Sequence, residues 1–227
     1  MFNRPEYHKH EDFQVRTDKL KEIRSLGVDP YPHRFIPEST ASQISQEFEN
    51  AQVGHSEEAA EGTTPFFKVA GRLVLFRAMG KNAFGHIQDH TGRMQVMFNK
   101  DLSEVVGLKS EEWTSMKFIE KKVDLGDFLG IEGHLFRTQK GELTLFVKKV
   151  TLLCKTLLPL PEKHSGLVDK GVRYRKRWLD LISHLEVFKQ FEMRSKILEL
   201  IRTYFKKNEF LEVETPVLQN VYGGAQA

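Results

Sequence analysis

The chain contains two different hydrophobic periods, and each predicts a different kind of element. Apolar residues recur every three or four positions over residues 11–26, and again from 191 to 207, where there is no Gly or Pro. This spacing is typical of a helix with one buried face, so both stretches are predicted as α-helices. A shorter helix is expected to begin near Ser39 or Thr40.

Between Phe66 and Leu153 the hydrophobic period falls to two, which indicates strands with one buried face. Five strands are predicted, at about residues 66–77, 83–89, 93–99, 127–137 and 142–153. The more polar stretch between the third and fourth strands has room for one helix. This order is that of an OB-fold barrel, although the pattern alone leaves any small antiparallel barrel or sandwich open.

The predicted fold class is therefore α+β, in three parts. Residues 1–64 are expected to form an N-terminal helical segment and linker, and residues 65–157 the OB-fold barrel. The acidic stretch from Gly54 to Thr64 is interpreted as a mobile linker. Residues 158–227 are predicted to contain a proline-rich linker, a long helix and a short strand over Phe210–Val213.

Composition and charge narrow the setting but do not identify a partner. The chain has 227 residues with 34 basic and 31 acidic side chains, so a nucleic-acid surface would have to come from local clustering. Its single cysteine, Cys154, excludes an intramolecular disulfide, and the histidines lack paired spacing, so no metal site is expected in this chain. Without a signal-like start or an apolar run of about 18 residues, a cytoplasmic protein with no membrane association is expected.

Alternation also assigns the barrel side chains to inner and outer faces. In the second strand Ile87 points inward, and the outer positions are Phe84, His86 and Gln88. In the third and fifth strands the outer positions are Arg93, Gln95, Met97 and Asn99, and Glu142, Thr144, Phe146 and Lys148. Arg77 lies at the end of the first strand.

An exposed ring beside an amide, a guanidinium and a carboxylate suits single-stranded RNA, because the ring can stack on a base while polar groups contact its edge. The alternative is that Phe84 covers the end of the barrel, while Arg77 and Glu142 form a surface ion pair. Such a pair would contribute only about 0–1 kcal/mol. Alternation alone leaves both interpretations open.

A basic run over residues 173–177 offers a second possible RNA contact. Cations that neutralise phosphates release counterions and raise affinity at low salt. The run adjoins the predicted linker, so packing between domains is the other interpretation.

Four segments along the chain resemble one enzyme family. Phe210–Pro216, read as FLEVETP behind a long amphipathic helix, looks like motif 1 of the class II aminoacyl-tRNA synthetases. Gly223–Ala227, read as GGAQA, is similar to the following turn in lysyl-tRNA synthetases, whereas aspartyl enzymes usually carry Glu-Gly-Ala there. The match continues upstream through RYRKRWLDLI at 173–182 and VAGR at 69–72. The chain is therefore identified as similar to the N-terminal portion of that family, ending just after motif 1.

The resemblance assigns roles to eight residues. It implies that the OB barrel binds the anticodon, with Phe84 stacking on the central uridine and its edge contacted by Gln95, Arg77 and Glu142. It implies lysine binding at the turn and a dimer interface at motif 1, through Gly223, Gly224, Ala225 and Pro216.

The resemblance also implies a reaction. Lysine would be activated with ATP and Mg²⁺ to lysyl-adenylate and transferred to tRNA(Lys), in a homodimer. The two arginines that the family uses belong to motifs 2 and 3, which are not found in these 227 residues, so no catalytic residue is expected in this chain, which alone should bind no cofactor and be inactive. The alternatives are part of an aspartyl- or asparaginyl-type enzyme, or a stand-alone tRNA-binding OB-fold protein.

Overall fold

The computed structural model describes residues 6–161 and 167–217. The chain forms two compact units, residues 1–160 and residues 161–227. The first contains N-terminal helices and a β-barrel, and the second contains three helices. The α+β class predicted from the two hydrophobic periods is confirmed.

The first predicted helix is α1, Glu11–Ser25, which follows a 3-10 turn at Glu6–Lys9. It buries Leu20 and Ile23. Gly27 follows the end of the helix, and its φ of +88° is the left-handed conformation that glycine adopts most easily there.

Helix α2, Ala41–Glu47, begins where the sequence predicted. The Thr40 hydroxyl accepts the Gln43 amide, and the Gln43 side chain accepts the Thr40 amide, which is a capping box. The carboxylate of Asp89, in the turn between two barrel strands, also accepts the Ala41 amide at 2.7 Å. Burial alone would raise the pKa of Asp89, but hydrogen bonds from Ala41, Thr91 and Gly92 outweigh it and lower that pKa.

The mobile linker predicted over 54–64 is wrong, because this stretch contains helix α3, Ser56–Glu61. Ala59 is fully buried, and the Ala60 carbonyl accepts the Lys148 ammonium. The Thr64 carbonyl accepts the His134 Nδ1–H at 2.7 Å. An acidic six-residue helix has too little apolar character to be recognised in the sequence, and its burial depends on residues far along the chain.

The barrel contains the five predicted strands and one short addition. The elements are β1 Phe66–Met79, β2 Asn82–Gln88, β3 Arg93–Asn99, β4 Glu104–Val105, α4 Ser115–Lys122, β5 Phe128–Arg137 and β6 Leu143–Cys154. The sheet order is β3-β2-β1-β5-β6-β4, and β3 also pairs in parallel with β6, which closes the barrel. The predicted helix between the third and fourth strands is α4, and the two-residue β4 was not predicted. The OB-fold prediction is confirmed.

Inner and outer faces follow the predicted alternation. The predicted inward positions Val96, Phe98, Leu145 and Val147 have no exposed surface. Close strand contact depends on Gly133 at a β-bulge, because an added Cβ would lie 2.1 Å from the Phe146 carbonyl oxygen.

The second unit contains α5, Lys170–Arg175, α6, Arg177–Ser183, and α7, Leu185–Lys207. Helix α7 includes the predicted helix and begins six residues earlier, and its apolar side chains are exposed at Phe191, Ile197, Leu198, Ile201, Tyr204 and Phe205. The strand predicted over Phe210–Val213 is not formed, since this part of the described chain has no regular secondary structure. A strand needs a neighbour to satisfy its backbone hydrogen bonds, and none pairs with it among the described residues.

A membrane crossing needs a long and strongly apolar helix, and no helix within the described ranges meets that requirement.

Candidate nucleic-acid interface

Three of the four residues predicted to contact a base lie on neighbouring strands of the barrel, and the fourth, Glu142, directly precedes β6. Arg77 on β1 is the cross-strand partner of Phe84 on β2, and both side chains point away from the core. Gln95 on β3 pairs with His86 on one side and with Thr144 on the other. Neighbouring strands are about 4.8 Å apart, so the patch across β1, β2 and β3 is about 10 Å wide, which is the scale of one base.

Gln95 and Glu142 form a hydrogen-bonded network with two further side chains, Thr144 and His86. The Gln95 side-chain Nε2 donates to Glu142 Oε2 at 2.7 Å, and the Thr144 hydroxyl donates to Gln95 Oε1 at 2.7 Å. His86 Nε2 lies 3.1 Å from Glu142 Oε1. Because a carboxylate only accepts, these contacts fix which end of the Gln95 amide faces Glu142. The network therefore orients both groups before any ligand arrives.

The hairpin turn between β5 and β6 holds the backbone of Glu142. Gly141 has a φ of +83°, which a residue with a side chain adopts only with strain. The Glu142 amide donates to the Thr138 hydroxyl at 3.1 Å, and its carbonyl accepts the Thr138 amide at 3.0 Å. The carboxylate thus extends from a fixed turn toward Gln95.

The ion pair considered between Arg77 and Glu142 does not form among the described residues. Glu142 contacts His86 and Gln95 instead, and the exposed Arg77 has no carboxylate within salt-bridge distance. The guanidinium therefore remains available to an acceptor outside the described chain.

Phe84 is partly buried rather than exposed, because a second hydrophobic cluster lies outside the barrel. This outer cluster consists of Ala59, Met97, Phe136 and Phe146, and the Phe84 ring packs against it. Met97, Thr144 and Phe146 lie on the outer face as the alternation predicts, but all three are buried there. Helix α3 supplies the Ala59 that completes the cluster. Phe84 consequently has a supported ring, which restricts its motion.

Part of the basic run at 173–177 has a structural role. Arg173 and Arg177 both pair with Asp180, whose side chain has no exposed surface. His184 Nδ1 also lies 2.9 Å from the Asp180 carboxylate. Burial alone would raise the pKa of Asp180, but hydrogen bonds from Arg173 and His184 outweigh it and lower that pKa. Only Arg175 and Lys176 are exposed cations in this run.

The other sequence-predicted residues are not in this patch. Pro216 is exposed in the second unit, while Gly223, Gly224 and Ala225 lie outside the described residues. Within the described ranges no group of three or more His, Cys, Asp or Glu residues could hold a metal ion. The side chains within these ranges therefore do not fit a Mg²⁺ site.

Comparison with known proteins agrees with this division of the chain. Residues 67–153 match the family model of the OB-fold nucleic acid binding domain. Residues 169–227 match the model of the class II tRNA synthetases (D, K and N). The chain belongs to the class II tRNA synthetases.

Named relatives of this synthetase chain cover nearly all of it. It is 56% identical over 223 residues to the lysine–tRNA ligase of Chlamydia caviae, which covers 98% of the chain and 42% of that relative. It is 57% identical to the lysine–tRNA ligase of Chlamydia pneumoniae, over 100% of the chain and 43% of the relative. The corresponding protein of Lactococcus lactis is 44% identical over 96% of the chain. The chain spans about two fifths of the length of these relatives.

Two polar residues of the patch, His86 and Thr144, were given no role by the sequence. His86 and Thr144 were both placed on the outer face by alternation, but nothing indicated that they contact Glu142 and Gln95. The signal that could have indicated it is the parallel pairing of β3 with β6, which puts Thr144 beside Gln95. That pairing joins strands distant in sequence and is not predictable from local pattern.

Proposed function

We propose that this chain is the N-terminal part of a lysine–tRNA ligase, and that its barrel recognises the anticodon of tRNA(Lys). The complete enzyme would use ATP to activate lysine to lysyl-adenylate and would transfer the lysyl group to the tRNA. The observation that carries the anticodon role is the Gln95–Glu142 network beside a supported aromatic ring. The names of the relatives favour lysine among the three amino acids of the family.

The polar groups of the patch complement the edge of uracil. That edge presents an N3–H donor between two carbonyl acceptors, O2 and O4. The Glu142 carboxylate can accept from N3–H, while the Gln95 amide and the Arg77 guanidinium can donate to the carbonyls. Phe84 would stack on the face of the same base. Cytosine has an N3 lone pair in place of the N3–H. Its N3 and the Glu142 carboxylate would therefore be two acceptors facing each other with no hydrogen between them.

This complementarity predicts a preference for a central uridine. An anticodon stem-loop with a central uridine should bind the 227-residue chain more tightly than the same loop with cytidine. A mismatched group facing a charged partner costs about 1–3 kcal/mol, so the expected preference is about 5- to 150-fold. Fluorescence titration of both loops at one salt concentration measures it.

The Gln95→Ala variant is the control for this preference. It should bind uridine less tightly and reduce the difference between the loops, since Gln95 contacts the base edge in the proposed complex and orients Glu142. Equal affinity of the unmodified chain for both loops would reject anticodon recognition by this patch.

The activity of the whole enzyme gives a separate prediction. The full-length protein should show lysine-dependent ATP–pyrophosphate exchange that requires Mg²⁺, whereas purified residues 1–227 should show none. The reason is that the arginines expected to stabilise phosphate charge are not among these 227 residues. Exchange that depends on aspartate or asparagine instead would contradict the lysine assignment. Robust exchange by residues 1–227 would contradict the proposal that the catalytic arginines lie outside these residues.

The homodimer and the cytoplasmic setting are further parts of this proposal. The exposed apolar side chains of α7 support an interface, because a contiguous apolar face in water is costly unless covered. Pro216 follows that helix and would lie at the same interface.

A further inference from the structure

His86 holds a Glu142 oxygen that no other residue of the network contacts. Its Nε2 lies 3.1 Å from Glu142 Oε1, while Gln95 donates to Oε2. The carboxylate cannot donate, so His86 Nε2 carries the proton in this contact. His86 on β2 and Gln95 on β3 are direct cross-strand partners, which places both donors on one rigid face of the barrel.

The contact adds a second constraint, besides the Gln95 hydrogen bond, on the long side chain of Glu142. The Glu142 side chain is 50% exposed, and His86 is only 26% exposed. A long exposed side chain loses rotamer freedom when a ligand fixes it, and that loss weakens binding. Two donors on a rigid sheet fix the carboxylate in advance, and each of its oxygens retains a lone pair for a base.

The surroundings of His86 Nδ1 indicate that the contact made by Nε2 is the reason for a histidine at this position. Nδ1 is buried and has no hydrogen-bond partner among the described residues. A buried polar atom without a partner is unfavourable for folding. An apolar side chain would avoid that penalty, so the position is better explained by what Nε2 does than by packing.

We propose that His86 is a positioning residue for anticodon recognition, acting by holding Glu142 where it accepts the N3–H of the central uridine. This inference rests on the proposed function of the barrel. His86 acts through Glu142, and its loss should therefore reduce the preference for uridine over cytidine rather than weaken binding to both loops equally.

Three substitutions test this role. His86→Ala should weaken binding of the uridine loop by about 10- to 150-fold, as expected for one hydrogen bond to a charged group, and leave the cytidine loop almost unchanged. His86→Gln should restore most of the affinity, because its Nε2 is three bonds from Cβ, as in histidine. His86→Asn is the matched control: its amide nitrogen corresponds in reach to Nδ1, so it should behave like alanine.

A double-mutant cycle separates positioning from a general effect on the fold. Once Glu142→Ala has removed the carboxylate, adding His86→Ala should change uridine affinity by less than about twofold, within the usual error of additivity. The inference is overturned if His86→Ala and His86→Gln weaken binding equally, or if the two substitutions add fully. If the unmodified chain does not prefer uridine, the proposed function fails together with this inference. If Gln95→Ala reduces the preference and His86→Ala does not, only the role of His86 is rejected.

Discussion

Replacing Lys155 with methionine is expected to destabilise the first unit by about 3–5 kcal/mol, the usual cost of leaving a buried charge without its partner. The Lys155 side chain has no exposed surface, and its ammonium contacts the carboxylates of Asp124 and Asp127. Asp127 is also fully buried. Methionine has a similar length but no charge, so the buried Asp127 would lose the cation that contacts it, while Asp124 would keep only the partly exposed Lys19. Urea unfolding of the 227-residue chain, followed by tryptophan fluorescence and circular dichroism, measures the change.

The matched control is Lys19→Met, which removes a second cation from the same Asp124. The Lys19 side chain is 25% exposed, so water can replace it and the cost should be about 0–1 kcal/mol. Equal effects of the two substitutions, or a Lys155→Met variant as stable as the unmodified chain, would show that the buried cluster does not stabilise the fold.

The effect of Lys155→Met should also depend on pH. Burial alone would raise the pKa of Asp124, but hydrogen bonds from Lys155 and Lys19 outweigh it and lower that pKa. A group with a lowered pKa in the folded state contributes stability above its unfolded value of about 3.9, and that contribution is lost as the pH falls through the folded value. The difference between Lys155→Met and the unmodified chain should therefore persist from pH 7 down to about pH 5 and decrease only below about pH 3.9.

The sequence was sufficient for the barrel because strand alternation is a local signal. Buried inward positions recur at every second residue, as Val96 and Phe98 show on β3 and Leu145 and Val147 on β6. The turns also have local causes, such as the glycine at position 141 with its positive φ. The resemblance supplied four residues for the candidate site, and the structure brings Gln95 and Glu142 into direct contact. Their roles in binding stay predictions.

The features that could not be predicted depend on contacts between distant parts of the chain. Lys155 is a charged residue and would ordinarily be exposed, yet it is buried because Asp124 and Asp127 lie opposite it. Helix α3 has only short apolar side chains, and Ala59 is buried because Phe136 and Phe146 lie beneath it. Such pairings are set by tertiary packing, which overrides local composition.

Replacing Phe84 with leucine is expected to weaken binding of the uridine loop by about 1–3 kcal/mol, the usual value of stacking one base on an aromatic ring. That range corresponds to about 5- to 150-fold in the dissociation constant. Leucine can still fill the space beside Met97 and Phe146, so the outer cluster should remain packed. Phe84→Ala should show the same loss of stacking, together with lower stability because it leaves a cavity. Titration with the loop and a urea unfolding curve for each variant separate the two effects.

The control for ring loss is Phe66→Ala, at the other end of β1 from Arg77. Phe66 is 50% exposed and packs edge-on against His134, so it is an accessible aromatic residue on the same barrel. Arg77 lies eleven residues further along the strand, or about 36 Å away, which is beyond the reach of one base. Its removal should leave loop affinity unchanged. If Phe66→Ala weakens binding as much as Phe84→Leu does, the RNA contacts the barrel through a wider apolar surface; if Phe84→Leu has no effect, no base stacks at this position.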